Sequence, residues 1–106
     1  MKQTFINLTT HVITEVTTGI VIPMSGNIAR IDKNVETAII HNGAPIYATK
    51  FGVLNGLPEP VEGTIYIVSA MALNGVPAGR TDVVSTGFVK RDKDGKPLGC
   101  VGFQQQ

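Results

Sequence analysis

Apolar and polar residues alternate along this chain in short runs, not in the stripes of a long helix. The segments TAIIHNGAPIYATK (37–50) and TIYIVS (64–69) are rich in β-branched and aromatic residues, and Gly, Pro and Asn recur every few positions. β-branched side chains suit a pleated surface, and frequent turn residues cut the chain into short strands. The pattern predicts strands at 4–8, 11–16, 19–22, 27–31, 35–41, 45–51, 64–69, 82–84, 87–91 and 98–103. Asn42-Gly43 lies between two such runs and supplies the positive φ angles of a type I′ hairpin turn. Asp94-Gly95 repeats that signal in FVKRDKDGKPLGCVGF. Gly99 and Gly102, inside the last strand, mark a bulge or a close backbone approach. The segment NGLPEPVEG (55–63) has two prolines and two glycines and reads as a loop.

One helix fits the pattern. Ala70 to Asn74 contains good helix formers, Ser69 is placed to cap its start, and Asn74-Gly75 and Pro77 end it. So short a helix is held by packing, plugging one end of a barrel or lying across a sandwich edge. The expected fold is therefore all-β, a small barrel or sandwich with one short helix, in a single domain over 1–106.

Composition narrows the picture. Hydrophobic residues make up 42% of the 106 and charged residues 16%, a globular balance with formal net charge +1. No basic stripe is present, so nucleic acid is not an expected partner. No apolar stretch spans a bilayer, and MKQTFINLTT lacks a signal-peptide core, so the expected location is the cytoplasm. Cys100 is the single cysteine and reads as a small packed hydrophobe. No P-loop, GxSxG, HExxH or zinc spacing occurs, so neither cofactor nor metal is expected.

Few polar residues remain to carry chemistry. In NLTTH, His11 is a general base or anion ligand in one reading; in the other, Asn7 and the threonines hold a turn with His11 on a strand edge. In IPMSGNIAR, the turn at Ser25 and Gly26 offers backbone N–H groups that can form an anion-binding nest, with Arg30 and Asp32 just beyond. The same residues serve an ordinary β-turn. In GRTDVVSTG, Arg80 and Asp82 share a face of an extended segment. They form a structural ion pair, or Arg80 presents its guanidinium to an anion while Asp82 orients it. Thr81 and Ser69 add hydroxyls nearby.

Taken together, FINLTTHVI, IPMSGNIARI, TKFG, LPEPVEGTIYIVSAMAL, VPAGRTDVVSTG and VKRDKDGKPLGCVGF resemble a family of small uncharacterised bacteriophage and prophage proteins. That family opens on an Asn-Leu-Thr-Pro-His-like motif; Thr10 stands here where it commonly has Pro, and Met24 where a second Pro or another small turn residue is common. The resemblance covers nearly the whole chain. It implies a phage origin, a compact β fold and a place in the host cytoplasm, and it supplies no catalytic residues.

Two function classes follow. One is a phage accessory protein in counter-defence: a non-catalytic oligomer that sequesters a small anionic, nucleotide-like ligand through Arg80, Asp82, Thr81, Arg30, Ser25, Gly26, Ser69 and His11. The other is a protein–protein module, an inhibitor of a host defence protein or a minor virion protein, using exposed Phe51, Phe88, Tyr47 and Met71. An enzyme pairing His11 with Asp82 or Glu15 ranks third. Sparse charge and open strand edges also predict a homo-oligomer.

Overall fold

Eight strands and one helical turn account for the regular structure of this protein, seen in a computed structural model that describes residues 4–106 and, for 33–37, 49 and 51, the backbone only. Phe51, one of the expected contact residues, thus falls outside the described side chains. The strands are β1 (Thr4–Asn7), β2 (Ile13–Glu15), β3 (Ile20–Ile22), β4 (Arg30–His41), β5 (Ala44–Asn55), β6 (Thr64–Ile67), β7 (Val83–Arg91) and β8 (Pro97–Gln104). Helix α1 (Ala70–Leu73) lies between β6 and β7.

Six strands form one sheet in the order β1-β6-β7-β8-β2-β3. A parallel bridge from Asn7 to Met24 brings the chain beyond β3 back to β1, so the sheet nearly closes into a barrel. The expected all-β fold is found, and of barrel and sandwich it takes the nearly closed, barrel-like form. β6 and β7 run parallel, which obliges the chain to return to the same end between them. Helix α1 and the segment after it make that return.

Two apolar clusters explain the run IYIVSAMAL. Ile67 and Val84 point into the barrel with Ile13, Ile22 and Cys100. Tyr66, Val68 and Val83 point the other way, against Leu8, Ala29, Ala72 and Leu73. Strands buried on both faces read as continuous hydrophobic runs. The helix therefore covers the outer face of β6 and β7 and does not plug the barrel's end. Its expected cap is present: Ser69 Oγ accepts from Ala72 N at 3.1 Å.

Some boundaries differ from the sequence pattern. The runs expected at 27–31 and 35–41 are one strand, β4, which pairs antiparallel with β5 alone as a long hairpin outside the main sheet. A two-stranded ribbon outside the main sheet tolerates polar residues at 32–34, which otherwise read as a break. The runs at 82–84 and 87–91 also fuse, into β7. There Gly87 permits a close approach, since a Cβ on it would collide with the Val101 carbonyl oxygen. Gly99 does the same against Thr14 O, the point where β8 reaches β2.

Asn42 (φ 49°) and Gly43 (φ 81°) make the expected left-handed pair at the tip of the β4–β5 hairpin. The chain also reverses at Asp94-Gly95, by other means. Only Gly95 is left-handed there, and Asp92 Oδ1 accepts from both Asp94 N and Lys96 N, giving a longer, side-chain-capped loop.

Candidate functional site

The segment NLTTH is organised by Asn7, whose residue is 1% exposed. Its Nδ2 donates to His11 O (2.8 Å) and Ile22 O (3.2 Å), and its Oδ1 accepts from Thr9 N (2.9 Å) and Thr9 Oγ1 (2.6 Å). Ser25 closes the same seam, donating its hydroxyl to Asn7 O at 2.7 Å. The turn expected of this segment is present, but His11 lies in the bend before β2 and not on a strand edge as expected. Ser25 and Gly26 (φ 95°) belong to that seam and line none of the larger clefts.

Holding this loop shut leaves His11 at the rim of a cleft of about 420 Å³. Arg30 enters it from the first position of β4, and Ser69 from the cap of α1. Leu8, Ala29 and Met71 give the cleft an apolar side. Three expected site residues from three separate segments thus meet in one place. Arg30 is exposed, and its guanidinium makes no hydrogen bond or ion pair among the described residues. Asp32 is the one carboxylate on the wall.

Arg80, Thr81 and Asp82 line a different, larger cleft of about 550 Å³. Here the guanidinium is committed internally. Its Nε donates to Asp82 Oδ1 (2.8 Å), and Nη2 donates to Asp82 Oδ2 (2.9 Å) and to Pro58 O (3.1 Å). The hydrogen bonds to Arg80 lower the Asp82 carboxyl from its ordinary value, and those to Asp82 raise the guanidinium further. The pair ties the 55–63 loop to the return segment before β7. Glu62 on the same wall adds a second carboxylate, which repels an incoming anion. Arg30 and Arg80 therefore serve separate clefts, and Arg30 has the freer donors.

Removing the pair has a checkable cost. Arg80→Ala and Asp82→Ala are each expected to lower stability by about 1 kcal/mol or more, because a bidentate, partly shielded pair exceeds the usual surface ion pair. In a domain of this size that is roughly 4–8 °C in melting temperature. A thermal melt of each variant checks it.

Glu15 is a buried polar residue that the sequence presents only as an acid–base partner for His11. Its carboxylate accepts from the hydroxyls of Thr17 and Thr18 (2.5 and 2.8 Å), from both of their backbone N–H groups, and from Gly102 N (2.8 Å). These bonds, led by the Thr17 hydroxyl and the Gly102 N–H, hold it at about 2 despite desolvation. With Glu15 saturated and Asp82 paired, both carboxylates of the acid–base pairing are already engaged. Cys100 is buried, and burial, aided by the Glu15 charge, pushes its thiol up. It packs as a small hydrophobe, as expected.

Among the described residues no group of three or more His, Cys, Asp or Glu is placed to hold a metal ion, and no helix is long and apolar enough to cross a membrane. No protein-family model, no curated protein and no solved structure matches the chain.

Proposed function

We propose that this chain is a non-catalytic binding module that takes a small anionic, nucleotide-like ligand in the cleft of His11, Arg30 and Ser69. One observation carries it: the Arg30 guanidinium, without an internal partner among the described residues, faces a cleft that also gathers an imidazole and a hydroxyl over an apolar floor. A volume of about 420 Å³ suits a small molecule. The cationic and hydroxyl groups suit phosphate oxygens, and Leu8, Ala29 and Met71 suit the flat face of a base. Binding needs no acid–base pair, in keeping with the engaged states of Glu15 and Asp82. The resemblance to small bacteriophage proteins supports a further step: the ligand is a nucleotide signal of host defence, and the protein acts by sequestering it.

The test is direct. Protein purified from phage-infected cells with active defence is heat-denatured, and the supernatant is examined by mass spectrometry. A phosphate-bearing small molecule released from the parent protein and absent from Arg30→Ala is expected. Recovery of the same molecule from both would overturn the assignment to this cleft.

A further inference from the structure

The β4–β5 hairpin is a long ribbon that stands outside the barrel as its own two-stranded sheet. Its root is packed: Ile31 and Leu54 lie against Gly75, where an added Cβ would meet both side chains. Beyond the root, Ile39, Ile40, Ile46 and Tyr47 are exposed among the described residues. The radius of gyration is 16.6 Å and the longest extent 56 Å, against about 13 Å expected for the radius of a compact chain of this length. A two-stranded ribbon is marginal in water unless a third layer packs on it.

The outer half of the ribbon carries exposed apolar residues on both faces. Cross-strand partners share a face and neighbours along a strand oppose each other. Ile39 and Ile46 are partners on one face, while Ile40 and Pro45 are partners on the other and share that face with Tyr47. Ile40 and Tyr47 are 70% and 62% exposed. From position 37 to 49 no Asp, Glu, Lys or Arg occurs.

We propose that this arm is the self-association element of the protein, and that its occupant is another copy of the same chain. Three arguments select that occupant. The first is area: the whole ribbon, twelve residues per strand at ~3.4 Å each and ~10 Å wide, gives roughly 400 Å² per face at most, part of it taken by the packed root. A stable interface needs about 800 Å² per partner, so both faces must be covered and a glancing contact does not suffice. Second, interfaces between identical subunits are the more apolar class, with charge depleted at their centre, which is the composition of the outer half of this arm. Third, the outer half of the arm, from 37 to 49, offers no Asp, Glu, Lys or Arg to steer or select a foreign surface. The proposal is independent of what the His11–Arg30–Ser69 cleft binds.

Sedimentation at micromolar concentration tests it. The parent is expected to exceed its 11.3 kDa monomer mass. Ile39→Asp combined with Tyr47→Lys, one charge on each face, is expected to sediment as a monomer while retaining the β circular dichroism and cooperative melt of the barrel. A second measurement uses the parent alone: hydrogen exchange of the amides from 38 to 48 is expected to slow at least ten-fold between nanomolar and micromolar protein. A monomeric parent, a doubly charged variant of unchanged mass, or arm exchange independent of concentration would each overturn it. A monomeric parent whose arm is protected only by a host protein would give the arm to a foreign partner instead.

Discussion

Asn7→Ala is expected to lower the melting temperature by roughly 12 °C or more. The Asn7 side chain makes four hydrogen bonds within 3.2 Å, and it is buried. Removing it takes the acceptor from the Thr9 N–H and one donor each from the His11 and Ile22 carbonyls. A buried group left without a partner costs about 1–3 kcal/mol, so losses of about 3 kcal/mol or more are expected, at roughly 4–8 °C per kcal/mol. Asn7→Asp is the instructive companion. It keeps the shape and the acceptor for Thr9, but turns a carboxylate oxygen toward two carbonyls that need a donor. It is therefore expected to destabilise as well, whereas a residue that only filled space would tolerate the change. The effect reaches the cleft, because the same four bonds hold the turn that carries His11. A thermal melt with both variants checks the first part, and loss of ligand binding in whatever fraction stays folded checks the second.

The second large effect concerns acid. The Glu15 carboxylate is held at about 2, against an ordinary value of 4.5. A depressed folded value means that its contribution is fully present above pH 4.5 and is lost as pH falls through about 2. Stability should therefore decline along a limb between those two values. Glu15→Gln removes that limb and also lowers stability at neutral pH, because its amide NH₂ meets the Thr17, Thr18 and Gly102 donors with hydrogens of its own. Melting temperatures of parent and variant between pH 2 and 7 decide it. The expected curves lie far apart at pH 7 and converge toward pH 2; parallel curves would show that Glu15 is not the group that titrates.

Much of the architecture is legible in the residues themselves. Asn42-Gly43 fixes its hairpin because few other pairs accept two left-handed residues in succession. Ser69 and Asn74 delimit α1 because its capping groups are local. Gly99 announces the approach of β2 because a side chain there has nowhere to go. What local pattern does not reveal is pairing over distance. Glu15 meets Gly102 across 87 positions, and a carboxylate on a short strand looks the same in sequence whether it faces water or five donors. The length of β4 and β5 was hidden for a related reason: the polar residues at 32–34 break a strand in a buried sheet but not in a projecting ribbon. The candidate cleft was legible as a set of residues and not as a grouping. Arg30, His11 and Ser69 come from distant segments, and the topology brings them together while keeping Arg80, with its conspicuous partner Asp82, apart.

Calorimetric titration tests the central claim most directly. Nucleoside mono- and diphosphates and cyclic dinucleotides are titrated into the parent, Arg30→Ala, Arg30→Lys and Arg80→Ala. A charge-assisted, two-pronged contact contributes about 1.5–3 kcal/mol, and 1.4 kcal/mol is a factor of ten. At least one of these ligands should bind the parent, Arg30→Ala should weaken it by roughly ten-fold or more, and Arg30→Lys should recover only part, since a point charge cannot reproduce the guanidinium fork. Arg80→Ala should bind like the parent although it melts lower. Affinity unchanged in Arg30→Ala but lost in folded Arg80→Ala, or no binding by any ligand of the series, would contradict the account.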